Sequence, residues 1–155
     1  MPIHKGDRAI EFKLPPKPKE EINLADYIGK EKIVLLFFPL AFSSVCTAEM
    51  CQMRDDWNQY ESLGAKVFGI SVDSPFVTDK FRQMEKIPFP LLSDFNKEVS
   101  KKYGVLMDDL NGLKGVAKRA AFVIGRDGKV KYEWVSDNPG TQVKFDEIKE
   151  ALKSA

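Results

Sequence analysis

The residues of this chain best suited to chemistry are two cysteines, Cys46 and Cys51, that follow its most apolar run at residues 33–38. The run predicts a buried strand and residues 47–55 predict a helix, so Cys46 lies where a strand passes into a helix. Unpaired backbone N–H groups and the positive end of the helix dipole favour a thiolate over a thiol at that position. Because the thiolate is the reactive form, Cys46 is a candidate nucleophile.

The elements that must position these cysteines alternate strands and helices. Hydrophobic periodicity, Gly and Pro positions and capping residues predict strands at residues 8–14, 33–38, 65–72, 91–92, 120–124 and 130–135, and helices at about 46–63, 75–86, 95–103 and 145–152. Residues 106–118 predict a loop, and Asp127-Gly128 predicts a hairpin. Crossover units need parallel strands and a hairpin needs antiparallel ones, so we expect an α/β fold with a central mixed sheet flanked by helices on both faces.

Length and charge limit the classes of function. With 155 residues, 43% of them hydrophobic, we expect residues 1–155 to form a single domain. The formal charge of +1 creates no overall field for nucleic acid or an anionic membrane, so neither is expected as a partner. We expect a cytoplasmic protein, because the N-terminus lacks the apolar core of a signal peptide and no apolar run approaches the roughly 20 residues of a membrane span.

Two cysteines are too few for a disulfide scaffold or a structural zinc site, which needs four Cys or His ligands. The single histidine, His4, is distant in sequence, so we expect no metal and no cofactor. Four residues separate the cysteines, so the chain also lacks the Cys-x-x-Cys motif of thiol–disulfide oxidoreductases. The pair therefore needs another explanation.

The segment from Pro39 through Ser43 to Cys46 resembles the P-x-x-x-(T/S)-x-x-C motif of peroxiredoxins of the AhpC/TSA superfamily, thiol-dependent peroxidases with a thioredoxin-like fold. The preceding strand, Tyr103-Gly104-Val105, and Arg119 before an Asp-Gly hairpin also follow the family order. The resemblance implies that Cys46 is the peroxidatic cysteine and that Pro39, Ser43 and Arg119 are the other active-site residues. It also implies that Glu49 orients the arginine.

Each of these residue types suits the cleavage of a peroxide bond. Such cleavage places negative charge on the departing oxygen, which a Ser43 hydroxyl and the fork of Arg119 N–H donors can stabilise. Pro39 removes a backbone donor and limits access of water, and the product is a Cys46 sulfenic acid. Simpler interpretations remain: Arg119 as a solvated charge, Ser43 as a helix cap, and Glu49 as a residue that only complements the helix dipole.

The second cysteine raises the question of how the sulfenic acid is resolved. On an unbroken helix, Cys46 and Cys51 would have Cα atoms roughly 8.6 Å apart, whereas a disulfide allows roughly 4.4–6.8 Å. We therefore expect local unfolding of residues 44–52 to bring Cys51 to Cys46 as the resolving thiol. The spacing resembles that of the bacterioferritin-comigratory or Q-type peroxiredoxins, atypical two-cysteine enzymes that form an intramolecular disulfide.

Alternatives to this mechanism stay open at this point. The residues from Pro39 to Ser43 also resemble AhpE-like one-cysteine peroxiredoxins, in which an external thiol resolves the sulfenic acid, and Cys51 would then be a small buried hydrophobic residue. The resemblance implies hydrogen peroxide or organic hydroperoxides as substrates, a thioredoxin-like or other thiol reductant, and a monomer or homodimer. A thioredoxin-type oxidoreductase and a non-enzymatic redox sensor that uses Cys46 as a switch are the other hypotheses.

Overall fold

A computed structural model describes residues 3–155. The strands are β1 (Lys13–Leu14), β2 (Ile22–Asn23), β3 (Lys32–Phe37), β4 (Ala65–Ser71), β5 (Leu91–Ser93), β6 (Leu106–Met107), β7 (Val116–Ala117), β8 (Arg119–Ile124) and β9 (Val130–Ser136). The helices are α1 (Ser44–Asp55), α2 (Trp57–Ser62), α3 (Pro75–Glu85), α4 (Glu98–Lys102) and α5 (Phe145–Ser154), with a 3₁₀ turn at Leu24–Asp26.

Five of the strands form a central mixed sheet in the order β5-β4-β3-β8-β9. Strand β3 pairs in parallel with β4 and antiparallel with β8, and β8 continues antiparallel into β9. The three innermost strands are almost continuously apolar, as strands covered on both faces must be. Along β3, Ile33, Leu35 and Phe37 enter one core cluster, while Val34 and Leu36 enter the other.

Helices cover both faces of the sheet. Apolar residues of α1, α2, α3 and α5 pack in the cluster on one face, among them Met50, Tyr60, Phe81 and Ile148. The other face is covered by the N-terminal segment, the 3₁₀ turn and α4, which contributes Val99. The expected α/β architecture with a mixed sheet flanked by helices is thus confirmed. Within residues 3–155, no helix combines the length and the apolar character that crossing a lipid bilayer requires.

Local capping and turn signals give their elements as expected. The Ser74 side chain accepts from the Val77 N–H and Pro75 opens α3, as the serine–proline pair predicts. The hairpin of β8 and β9 turns at Asp127-Gly128, where Gly128 has φ of +82°.

Four sequence predictions were wrong in extent because tertiary contacts override the local pattern. The expected helix at 46–63 divides at Asp56 into α1 and α2, and Trp57 of α2 packs 5.5 Å from the ring of Phe89. In the expected loop at 106–118, β6 and β7 pair as a two-stranded sheet.

The expected strand at 8–14 pairs as a ladder only at β1, while Ile10 is held by the hydroxyl of Tyr103. Helix α4 is shorter than expected because it begins only at Glu98, where the Asp94 carboxylate accepts from the first backbone N–H groups.

Candidate active site

The first turn of α1 presents Cys46 at the end of the central strand. The side chain is 1% exposed. The first hydrogen bond at this end of the helix runs from the Thr47 N–H to the Ser43 carbonyl at 2.9 Å. The N–H groups of the three residues before Thr47 have no partner earlier in the helix. Free N–H groups and the positive end of the helix dipole therefore face this end of α1.

Arg119 contacts the sulfur of Cys46 directly. Its Nη2 lies 3.0 Å from Cys46 Sγ, and the guanidinium is 1% exposed. The sheet explains the encounter: Arg119 opens β8, which runs antiparallel to β3 with Ala120 opposite Phe37, so the arginine lies where β3 ends. The alternative of a solvated surface charge is therefore wrong for Arg119.

Glu49 and a backbone carbonyl fix the orientation of the guanidinium. Arg119 Nη1 donates to Glu49 Oε2 at 3.2 Å, and Nε and Nη2 donate to the Pro139 carbonyl at 3.2 and 3.0 Å. The other carboxylate oxygen, Glu49 Oε1, accepts from the Val143 N–H at 2.9 Å. With every nitrogen of the fork engaged, the arginine has little freedom to leave the sulfur.

The Glu49 carboxyl is completely buried one turn along α1 from Cys46. Burial raises its pKa above the ordinary value of 4.5, while Arg119 and the Val143 N–H act in the opposite direction. Removing either partner of such a buried pair leaves the other without compensation, which typically costs about 3–5 kcal/mol. The role of Glu49 therefore goes beyond complementing the helix dipole.

A pocket of about 290 Å³ opens onto the sulfur, lined by Pro39, Leu40, Ser43, Ser44, Val45, Cys46, Leu110, Asn111, Arg119, Pro139 and Gly140. The structure thus gathers Pro39, Ser43, Cys46 and Arg119 around one space, and Glu49 lies behind it. Ser43 occupies the N-cap position of α1, but its side chain does not cap the helix. Its hydroxyl donates instead to the Leu40 carbonyl at 2.7 Å, which leaves the hydroxyl oxygen as an acceptor toward the pocket.

The loop between β3 and α1 is held in a strained shape. Phe42 has φ of +67°, the left-handed region that bulky residues rarely adopt, and its ring packs 5.0 Å from that of Phe81. The Asp73 carboxylate accepts from the Ala41 N–H at 2.7 Å and from the Ser71 hydroxyl at 2.8 Å. These contacts fix the loop before any substrate arrives.

Cys51 lies within the same continuous helix as Cys46 and is half-buried. Both thiols are free, so a disulfide between them requires the helix to open. The Cys51 thiol donates to Glu85 Oε2 at 3.3 Å. Burial and this hydrogen bond raise the pKa of Cys51 above the ordinary 9.0.

Sequence reasoning missed the residues that act through backbone atoms or line the pocket from distant loops. Pro139 and Val143 serve the site through a carbonyl and an N–H, while Leu110 and Asn111 come from the loop between β6 and β7. The Asp127-Gly128 hairpin was the available signal for Pro139, because a chain that folds back at that turn places Ser136 opposite Arg119 and so brings the following Asn-Pro-Gly turn near the arginine.

Comparisons with known proteins identify the family and the fold of the chain. The model of the AhpC/TSA family matches residues 5–133. Peroxiredoxin Bcp of Escherichia coli is 32% identical, covering 84% of this chain and 85% of that protein. The chloroplastic 2-Cys peroxiredoxin BAS1 of Spinacia oleracea is 32% identical over 96% of this chain, which spans only 58% of that protein's length.

Among solved structures, peroxidoxin BcpB of Mycobacterium tuberculosis superposes with a TM-score of 0.85 at 29% identity, covering 98% of this chain and 97% of that one. The fold is therefore the thioredoxin-like fold of these proteins. The chain belongs to the AhpC/TSA family, whose matched members are named peroxiredoxins.

Proposed function

We propose that this protein is a thiol-dependent peroxidase that reduces hydrogen peroxide and organic hydroperoxides through Cys46. The observation that carries the proposal is the 3.0 Å contact between Arg119 and the Cys46 sulfur at the start of a helix, beside an open pocket. Membership of a family of peroxidases supports it.

The reaction is a displacement on oxygen. The Cys46 thiolate forms a bond to one peroxide oxygen while the O–O bond breaks, giving a sulfenic acid. The departing hydroxide or alkoxide takes up a proton and leaves as water or alcohol. Sulfur loses two electrons, and the peroxide gains them.

The surrounding groups stabilise the charge that moves during this displacement. Arg119 lies against the sulfur and can donate toward the attacked oxygen, and the free N–H groups of the first helical turn can stabilise the departing oxygen. The Ser43 hydroxyl oxygen can accept a hydrogen bond from the peroxide O–H and so hold the peroxide in line with the sulfur. Pro39 contributes a wall without a donor, and Glu49 orients Arg119.

Cys51 then resolves the sulfenic acid. Its thiolate attacks the Cys46 sulfur, so that an S–S bond forms, the S–OH bond breaks and the hydroxide leaves as water. Because α1 is continuous from Ser44 to Asp55, the first turns must unwind before the two sulfurs can meet. A thioredoxin-like protein or another thiol reduces the disulfide.

The setting follows from this cycle. We propose that a single domain of residues 1–155 carries the activity in the cytoplasm, where a supply of reduced thiols sustains turnover. It works as a monomer or a homodimer. It needs no cofactor, since the electrons come from the thiol donor.

The test is peroxide consumption with a thiol reductant, comparing wild type with Cys46→Ser and Cys51→Ser. We expect Cys46→Ser to abolish consumption, since Cys46 is the nucleophile that attacks the peroxide and the Cys51 thiol does not contact Arg119 but Glu85. Equal rates for Cys46→Ser and wild type would refute the proposal. Reduction of insulin without turnover of peroxide would instead support a thioredoxin-type oxidoreductase, and oxidation that stops after one equivalent would support a redox sensor.

One observation favours a second candidate, a one-cysteine peroxidase resolved by an external thiol. In the folded helix the Cys51 thiol is engaged with Glu85 and lies about 140° around the helix axis from Cys46. Intact mass after one equivalent of peroxide separates the two mechanisms. Loss of two hydrogens supports the Cys46–Cys51 disulfide, whereas retention of one oxygen supports the one-cysteine mechanism.

A further inference from the structure

Two side chains on one face of α1 contact the same residue at the end of α3. The Cys51 thiol donates to Glu85 Oε2 at 3.3 Å, and Arg54 Nη1 donates to the Glu85 backbone carbonyl at 2.7 Å. Glu85 is the last residue of α3, and Lys86 beyond it adopts a left-handed conformation with φ of +54° that ends the helix. The second half of α1 is thereby joined to a fixed helix end.

We propose that Glu85 is a positioning residue that holds Cys51 in the folded helix and so sets the rate at which Cys51 resolves the oxidised Cys46. The inference rests on the proposed function of Cys51. For resolution, the Cys51 sulfur has to leave Glu85 and approach the Cys46 sulfur, so the thiol–carboxylate contact breaks in every catalytic cycle.

Arg54 limits how far the helix must unwind. Arg54 donates to the Glu85 backbone carbonyl, so its hydrogen bond does not depend on the Glu85 side chain and persists when the Cys51 thiol leaves that side chain. The opening then involves the helix before Arg54, which contains both cysteines. A change in the Glu85 side chain therefore alters the contact with Cys51 and leaves the bond from Arg54 to the backbone in place.

Glu85 also acts on the protonation of Cys51. A carboxylate that accepts from S–H stabilises the thiol, which is not the nucleophilic form. The charged groups that face Cys51 are Glu85 from α3 together with Arg54 and Asp55 from α1. Glu85 and Asp55 raise the pKa of Cys51 and Arg54 lowers it. Breaking the contact therefore frees the sulfur and favours its reactive form at the same time.

The first experiment measures Cys51 alone. In a Cys46→Ser background, the rate of alkylation by iodoacetamide is followed against pH by intact mass, with and without Glu85→Gln. We expect Glu85→Gln to move the alkylation profile to lower pH and to speed alkylation near neutrality by about three- to tenfold, the size of one ordinary hydrogen bond, because the amide keeps an acceptor oxygen but loses the negative charge that favours the thiol. Glu61→Gln on α2 is the matched control and should leave the profile in place. Overlapping profiles for Glu85→Gln and its parent would overturn the inference.

The second experiment measures resolution in the presence of both cysteines. After one equivalent of peroxide, quenched samples report disulfide formation in wild type and in Glu85→Gln, and Cys46 oxidation is timed separately so that the two steps are not confused. We expect the disulfide to form faster in Glu85→Gln than in wild type. The difference in rate should fade at high pH, where Cys51 is ionised in both proteins. Equal rates at all pH values would refute the role of Glu85. If wild type forms no disulfide at all, the resolving function of Cys51 fails, and the alkylation profile still reports the contact separately.

Discussion

Replacing Arg119 by lysine tests the geometry of the site while keeping its charge. The guanidinium donates from three nitrogens to three acceptors: the Cys46 sulfur, the Glu49 carboxylate and the Pro139 carbonyl. A lysine ammonium is a single point with a shorter reach, so it cannot serve all three.

The loss follows from those contacts. If the ammonium stays with the buried Glu49 carboxylate, the sulfur and the incoming peroxide lose at least one charged donor, a change of about 1.5–3 kcal/mol in this buried setting. That energy corresponds to about a ten- to hundredfold fall in the second-order rate constant for oxidation of Cys46.

The assay is stopped-flow oxidation of the reduced protein by increasing peroxide, under conditions where resolution does not limit the signal. Arg126→Lys is the matched control, because Arg126 is exposed and belongs to the hairpin turn at the far end of β8. A rate constant for Arg119→Lys within about threefold of wild type would refute the claim that the guanidinium fork stabilises the transition state.

Further predictions concern the supporting network and the core. Glu49→Gln should slow Cys46 oxidation by about tenfold, because the amide NH₂ of glutamine would place a donor opposite another donor, either Arg119 or the Val143 N–H. An unchanged rate constant would contradict this. Because burial raises the pKa of Glu49, the folded state binds the carboxyl proton more tightly than the unfolded chain does. The stability that this proton contributes is therefore fully present below the unfolded pKa and is lost as pH rises through the folded pKa. Denaturant titrations should therefore show the stability difference between wild type and Glu49→Gln narrowing as pH rises above the ordinary carboxyl pKa of 4.5, and a widening difference would contradict the sign. Tyr103→Phe should lower the free energy of unfolding by about 1–3 kcal/mol, since its hydroxyl both donates to and accepts from the Ile10 backbone. Tyr60→Phe should be neutral or stabilising by up to about 1 kcal/mol, because its buried hydroxyl has no hydrogen-bond partner within residues 3–155; equal losses for the two tyrosines would refute this reasoning.

The sequence predicted those elements whose residue types are set by burial on both faces of the sheet or by the chemistry of caps and turns. The apolar β3, the serine–proline start of α3 and the Asp127-Gly128 hairpin are local signals that the fold preserves. The break at Asp56 was not visible, because it depends on how Trp57 packs against Phe89, far away in sequence. The β6–β7 pairing was hidden for a different reason: each strand is only two residues long, which is too short to show an alternating pattern.

At the active site, too, some residues could be predicted from the sequence and others could not. Side-chain chemistry and spacing predicted Cys46, whereas the family resemblance implied Arg119 and Glu49, and the structure brings Arg119 into direct contact with both of the others. Pro139 and Val143 could not be predicted from residue type, since any residue offers a carbonyl or, except proline, an N–H. The single Ser43 proton was expected to face the peroxide and instead faces the Leu40 carbonyl, a choice that only the loop conformation decides.

The central claim, that Cys46 is the residue that peroxide oxidises, is tested most directly in the Cys51→Ser protein treated with one equivalent of hydrogen peroxide. Intact mass and peptide mapping with a sulfenic-acid trap identify the oxidised residue. The account predicts the gain of one oxygen, trapped at Cys46, in most molecules. Oxygen found only on methionine, or no gain of mass while peroxide persists, would contradict it.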